Sequence, residues 1–392
     1  MKKRTAILLV VASVLVTAVL SFFTAWFVFP RNKDATPLLG GLNEVYRYLD
    51  SYYYKDLDES ALNLGILRGV VDALGDPYSD YLTNEEYAQL QETESGKYSG
   101  IGVTVEIDAE TGYPRASIVH KGAPAESAGV QVGDIFTAID GVPIDTSLSL
   151  TQIAMELRGE ADTTVTITVY RDGTSLDIAI VRKNVTIHRV EYRMLPNDIA
   201  HITITEFNGD CLEEFQKALT YVQEQKAKAI VLDLRNNPGG YLNYAVSIAD
   251  AFLDRGVVVT VREKSGKEDV YNSEAGALDL PMVVLMNSSS ASASEVLAGA
   301  LQDRSVAKVV GVDSFGKALV QRYYPLADSD GWIKITIASY FTPNGNDISG
   351  TGIKPDYQVE LDEEQVKRPS TLTDENDTQL KKAVELLKEE IQ

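Results

Sequence analysis

Between Pro281 and Gln321 the chain changes structural type in an order that few folds accommodate. Pro281–Asn287 (PMVVLMN) is an apolar run too short for a helix and reads as a buried strand. Ser288–Glu295 (SSSASASE) follows at once, and Val296–Gln302 then carries apolar residues at 296, 297, 300 and 301, a helical period. A second strand-like run, Val306–Val312, leads into Ser314–Gln321 (SFGKALVQ). Strand, helix and strand in this order predict a βαβ unit. Such a unit puts a serine at the start of a helix behind one strand and a lysine in the loop behind the next. Both loops then reach the same edge of a parallel sheet, where sites form.

This pair of residue types supports a specific chemistry. A serine hydroxyl is a poor nucleophile until a base takes its proton. A lysine amine becomes that base when burial and the lack of a counter-ion lower its pKa. The three histidines, His120, His188 and His201, all lie outside this stretch, so nothing in it points to a histidine base. Ser292 would stand at the first turn of its helix, where free N–H groups favour developing negative charge. Gln321 has a side-chain oxygen able to orient the Lys317 amine. A blander reading also fits: Ser292-x-x-Glu295 is a capping box, and Lys317 beside Gly316 suits a surface turn.

These segments resemble the C-terminal processing, or tail-specific, peptidases of serine peptidase family S41. Ser290–Glu295 (SASASE) matches the family's nucleophile motif. The resemblance implies Ser292 as nucleophile, Lys317 as general base and Gln321 as its orienting partner, at spacings of 25 and 4 residues that fit the family. Where the family usually reads FGKG, this chain has Phe315-Gly316-Lys317-Ala318. A strand–glycine loop–helix unit lies upstream: Lys228–Leu234 (KAIVLDL) reads as a buried strand, Arg235–Gly240 (RNNPGG) as a turn, and Leu242, Ala245, Val246, Ala249 and Phe252 as a helix face. By resemblance DLRNNPGG is a family signature, which implies an oxyanion hole made by the N–H of Gly239 or Gly240 with that of Ala293. Thr342–Asp356 and Asp76–Tyr81 (DPYSDY) also resemble family segments.

Residues 98–182 read as a separate small β domain. Asp140-Gly141 marks a turn, and Val165–Val169 with Leu176–Ile180 flank Asp172-Gly173 as a hairpin. The pattern resembles a PDZ domain, which implies binding of a substrate's C-terminal tail. An exposed strand edge would pair with the tail, and N–H groups at Ser99, Gly100, Ile101 and Gly102 would hold its carboxylate. Arg158 either responds to bound peptide and couples this domain to the core, or forms a plain surface salt bridge.

The remaining segments complete a multidomain α+β expectation. Lys2, Lys3 and Arg4 precede an uncharged run from Ala6 to Phe29, so residues 1–30 read as a signal anchor with the body outside the cytoplasm. The expected location is a cell membrane, single-pass, with release if the segment is cleaved. Residues 38–95 read as a helical N-terminal cap rich in tyrosine, 183–360 as the α/β peptidase core, and 361–392 as a linker and last helix. The terminal helices offer a surface for a homodimer. Asp210-x-x-Glu213 reads as a capping box, which makes the single cysteine, Cys211, structural. A net charge of −21 argues against nucleic-acid partners. No metal or cofactor is implied. The function expected is a serine endopeptidase selecting protein C-terminal tails; the alternative is a non-catalytic tail-binding scaffold. A penicillin-interacting Ser–Lys enzyme fits poorly, because Glu295 stands where S-x-x-K needs lysine.

Overall fold

The computed structural model describes residues 36–108, 110–148, 150–327, 331–367 and 372–391. The expected anchor at 1–30 lies outside them, and no helix of the described residues is long and apolar enough to cross a membrane. The described residues 36–73 form one unit and those from Leu74 another. In the first, α1 (Thr36–Tyr52) precedes α2 (Glu59–Asp72). Asp58 caps α2 by accepting from Ala61 N at 3.0 Å, and the Tyr46 hydroxyl donates to Glu59. Tyr48, Tyr52 and Tyr54 stay exposed.

The second unit opens with β1 (Asp80–Thr83) and α3 (Asn84–Ser95). Here the helical expectation for 38–95 fails at β1, which pairs antiparallel with a strand of the core. Asp76-Pro77 ends the helical stretch, and the Asp80–Thr83 backbone finds its partners on a strand remote in sequence. Thr83 and Glu86 form a reciprocal capping box that fixes the start of α3, and Gly96 ends it in a left-handed conformation.

The small β domain contains β2 (Lys97–Gly100), β3 (Val103–Ile107), β4 (Pro114–Val119), α4 (Pro124–Ala128), β5 (Ile135–Ile139), β6 (Val142–Pro143), α5 (Leu150–Leu157), β7 (Thr164–Arg171), β8 (Thr174–Val181) and β9 (Lys183–Thr186). Its sheet runs β3-β4-β5-β7-β8, so β3 is an edge strand. Asp172 and Gly173 both take positive φ, as the two-residue turn between β7 and β8 requires. Ile101, Phe136, Ile153, Val165, Ile167 and Ile180 centre its core. β2 and β9 pair with each other where the chain enters and leaves the domain.

The peptidase-like body follows as β10 (Val190–Leu195), β11 (Ile199–Ile204), α6 (Cys211–Glu224), β12 (Ala229–Asp233), α7 (Leu242–Asp250), β13 (Gly256–Glu263), β14 (Glu268–Ser273), β15 (Met282–Met286), α8 (Ala293–Asp303), β16 (Ala307–Gly311), β17 (Leu319–Leu326), β18 (Gly331–Phe341), β19 (Tyr357–Gln358), α9 (Glu363–Lys367) and α10 (Thr378–Glu390). Its main sheet is β10-β11-β12-β15-β16-β19, parallel from β11 onward. The inner strands β12 and β15 are buried along their whole length, which explains their unbroken apolar runs. A second sheet, β1-β18-β13-β14 with β17 on β18, joins α6, α7 and α8 around one core.

Two local expectations are corrected. Asp210 makes no side-chain cap on α6; its carboxylate instead pairs with Lys97 at 2.8 Å. Cys211 is fully buried, and burial pushes its thiol up to about 12, which leaves it inert. The last helix does not await a second subunit: Leu380, Ala383, Leu386 and Leu387 pack on Ile199, Val231, Val283, Leu285 and Val310 of the main sheet. Its apolar face is therefore satisfied within the chain.

Candidate active site

Four neighbouring parallel strands, β11, β12, β15 and β16, send their carboxyl-terminal loops to one edge of the main sheet. The loop after β12 holds Asn237, Gly239 and Gly240; that after β15 leads to Ser292; that after β16 carries Lys317. Ser292, Ala293, Gly240, Lys317 and Gln321 line one cavity of about 550 Å³, closed on the other side by Tyr87, Leu90, Thr93 and Glu94 of α3.

Local bonding singles out one serine from the serine-rich run. The Ser290 hydroxyl donates to Leu234 O at 2.8 Å, and that of Ser294 to Asn237 O at 2.9 Å. Ser292 sits at the N-cap of α8 with φ 55° and ψ −114°, a conformation that L side chains rarely adopt. Strain of this kind persists only where the surroundings over-determine it. The over-determination is visible. A Cβ on Gly239 would lie 2.8 Å from Ala291 O and 2.8 Å from the Ser292 Cβ, so only glycine lets the two loops approach this closely.

Glu295 ties the two loops together. Fully buried, its carboxylate accepts from Ser292 N (2.7 Å), Gly316 N (2.6 Å), Lys317 N (2.9 Å) and the Ser314 hydroxyl (2.6 Å). The Ser292-x-x-Glu295 spacing predicts a capping role alone for this residue. Its arm to Ser292 N is that cap, while the other three bonds reach a loop about twenty residues on. Tyr340 is a second brace: its hydroxyl donates to Ser292 O (3.0 Å) and to Lys317 O. Burial, reinforced by Glu295, raises the Tyr340 phenol far above its ordinary range and keeps it a donor.

The Lys317 amine is half-buried and has no salt bridge among the described residues. Burial first, then the neighbouring Lys334 ammonium, hold it below the usual lysine range, against the opposing pull of Asp76 and Glu295. Its described contact is the Tyr78 ring, 4.5 Å from the centroid. Among the described residues no hydrogen bond joins this amine to Ser292 or to Gln321; the Gln321 amide donates to the Thr336 hydroxyl at 3.2 Å. Ala318, which stands where the resemblance expects glycine, is buried without a positive φ, so its methyl group fits the loop.

Three backbone N–H groups belong to these loops. Gly239 N donates to Asn237 Oδ1 at 2.9 Å, whereas Gly240 N and Ala293 N donate to no group among the described residues. Phe207 bridges to Gly240 and fixes the direction of that peptide.

In the small β domain, Ile101, Gly102 and Arg158 line a shallow groove of about 60 Å³ with Tyr98, Val103, Val105, Ala154 and Leu157, beside edge strand β3. Ser99 and Gly100 belong to β2 and do not line it. Arg158 lies over the Tyr98 ring at 4.9 Å and pairs with Glu92 of α3 at 2.7 Å.

Comparison with known proteins agrees with this architecture. Residues 198–359 match the model of peptidase family S41, and residues 117–171 that of a PDZ domain. The chain is 35% identical over 368 residues to a probable CtpA-like serine protease of Staphylococcus aureus (strain COL), covering 92% of this chain and 73% of the relative. A probable CtpA-like serine protease of Staphylococcus saprophyticus is 34% identical over 367 residues, covering 92% and 74%. Among solved structures, a photosystem II D1 C-terminal processing protease superposes with a TM-score of 0.54 at 30% identity, over 81% of this chain and 86% of that one. A putative S41 protease from Bacteroides fragilis shares the fold, with a TM-score of 0.57 at 17% identity over 92% and 99% of the two chains.

Proposed function

The chain belongs to peptidase family S41, as a CtpA-like serine protease with a PDZ domain that recognises C-terminal tails and hydrolyses peptide bonds, and from that membership we propose that Ser292 and Lys317 are its catalytic pair. Ser292 Oγ attacks the scissile carbonyl and its proton passes to the neutral Lys317 amine. The oxyanion rests on the N–H groups of Gly240 and Ala293; Gly239 is the weaker candidate because Asn237 already takes its N–H. Lys317 then returns the proton to the leaving amine, and water hydrolyses the acyl-enzyme. Gln321 orients the amine once substrate draws it toward Ser292.

The observation that carries this reading is the strained, braced Ser292 sharing a cavity with a half-buried lysine that has no carboxylate partner among the described residues. Two substitutions test it with a tail-bearing protein substrate. Ser292→Ala and Lys317→Ala are expected to abolish cleavage while the tail still binds. Cleavage surviving in Ser292→Ala would overturn the assignment, and binding without any cleavage by the parent chain would favour the tail-binding scaffold.

The tail binds in the groove beside β3, with its carboxylate toward Ile101 and Gly102 and with Ser99 and Gly100 supporting that loop from β2. Arg158, on the groove wall and paired with Glu92, couples occupancy of the groove to α3, which walls the catalytic cavity. The uncharged run at Ala6–Phe29 behind Lys2, Lys3 and Arg4 supports an anchor at 1–30 and a body on the outer side of the membrane. Exposed Tyr48, Tyr52 and Tyr54 support a homodimer through the N-terminal helices.

A further inference from the structure

We propose that Tyr78, on the turn before β1, is a positioning residue for Lys317: its ring face seats the amine, shields it from water and sets the pH at which it becomes a base. The proposal rests on Lys317 serving as the base, and it assigns a role to a turn that neither the dyad nor the oxyanion donors require.

The backbone of the turn that carries this ring is anchored to β18. Asp76 Oδ1 accepts from Tyr78 N at 3.1 Å, and Asp76 Oδ2 accepts from the Ser79 hydroxyl at 2.5 Å. The Ser79 oxygen, almost wholly buried, accepts in turn from Thr336 N at 3.0 Å. Thr336 Oγ1 takes the Gln321 amide at 3.2 Å, so the turn and the base's neighbour hang on one residue of β18. The residue after Ser79, Asp80, pairs with Lys334 on the same strand. These bonds fix the backbone of the turn at Tyr78, whose ring centroid lies 4.5 Å from the Lys317 nitrogen.

An aromatic face does two opposed things to an amine. Its quadrupole favours the ammonium, and its apolar bulk excludes the water that the ammonium needs. The charged and titratable groups around Lys317 are Lys334 on β18, Asp76 on the turn, Glu295 on α8, and the Tyr340 hydroxyl bonded to the Lys317 carbonyl. None of them is a direct salt-bridge partner of the amine among the described residues, and the Tyr78 ring face lies 4.5 Å from it, which gives the two ring effects separable signatures.

Three substitutions separate them. Tyr78→Leu keeps the bulk and removes the quadrupole, so the amine's titration midpoint is expected to fall by roughly half to one pH unit. Tyr78→Ala admits water, so the midpoint is expected to rise toward that of a free lysine. Tyr78→Phe keeps the ring and the wild-type midpoint. The midpoint is read in the full chain from the pH dependence of Lys317 acylation by acetic anhydride, quantified by peptide mass spectrometry in a Ser292→Ala background. The acid limb of kcat/KM is measured in parallel with Ser292 intact. Labelling midpoints ordered Leu below Phe below Ala support the seat. Coincident midpoints in folded variants overturn it, whatever the rates do. If the labelling order holds while the rate profiles coincide, the seat stands and the assignment of Lys317 as base falls. Thermal melting checks folding, and if Tyr78→Ala does not fold, the Leu and Phe pair decides.

Discussion

A single carboxylate holds the Ser292 and Lys317 loops in register. Glu295 takes four donors from two loops, so a neutral amide in its place loses charge and turns an NH2 toward at least one N–H. Glu295→Gln is expected to lower kcat/KM at least ~100-fold through displacement of Ser292 and Lys317, with a fall in melting temperature. Near wild-type turnover would show that the brace is not needed. The strain at Ser292 gives a prediction of opposite sign. Glycine adopts φ 55° and ψ −114° freely, so Ser292→Gly should be more stable than Ser292→Ala by about 1 kcal/mol, both being inactive. Equal denaturant midpoints for the two would count against strain. The pH dependence follows from Lys317: its amine is held below the ordinary lysine range, so kcat/KM should rise with pH and level off below the pH at which free lysine titrates.

At the scale of elements, Arg235 is the fastening between the end of β12 and helix α10. Its guanidinium pairs with Asp233 at 2.6 Å and with Asp377, the N-cap of α10, at 2.8 Å, and His201 contacts Asp233 at 3.2 Å. All four side chains are nearly or wholly buried. Arg235→Leu strands two buried carboxylates and is expected to cost about 3–5 kcal/mol, read as a shifted urea midpoint. Burial by itself would raise the Asp233 carboxyl, but the Arg235 and His201 contacts outweigh it and hold that group well below its ordinary range. A lowered folded pKa contributes stability that is full above the unfolded value, about 4, and is lost as pH falls from there through the depressed folded value, so this fastening should hold until strongly acidic pH. Helix α3 has the opposite character: it is capped at both ends but polar and without a buried residue, and it touches both the Arg158 wall and the catalytic cavity.

For the whole molecule, the groove beside β3 and the cavity holding Ser292, proposed as tail site and catalytic site, are separate on one chain, bridged by α3 and the β2–β9 pair. A tail captured at one site raises the effective concentration of the upstream peptide at the other. The apolar face of α10 is covered by its own sheet, whereas Tyr48 and Tyr52 of α1 stay exposed, so the proposed homodimer contact falls to the N-terminal helices. If the chain forms the proposed homodimer, Tyr48→Glu together with Tyr52→Glu in the full chain, held in detergent, is expected to halve its mass by light scattering. An unchanged mass would place the contact elsewhere.

Sequence alone determined what depends on neighbours along the chain. The buried strands at 282–286 and 307–311, the helix behind Ser292 and the Asp172-Gly173 hairpin were legible because burial period and turn chemistry are local. Residue chemistry offered Ser292, Lys317 and Gln321 as candidates, and the family resemblance assigned their roles and added Gly239 or Gly240 with Ala293. Contacts between distant segments were not legible. Glu295 looked like a helix cap because its first partner is three residues away, and the Asp76–Tyr81 turn gave no sign of reaching a lysine some 240 residues on. The same holds for α10, whose amphipathic face is equally compatible with a second copy or with the chain's own sheet. Periodicity encodes which face is apolar, while only the folded arrangement decides what covers it.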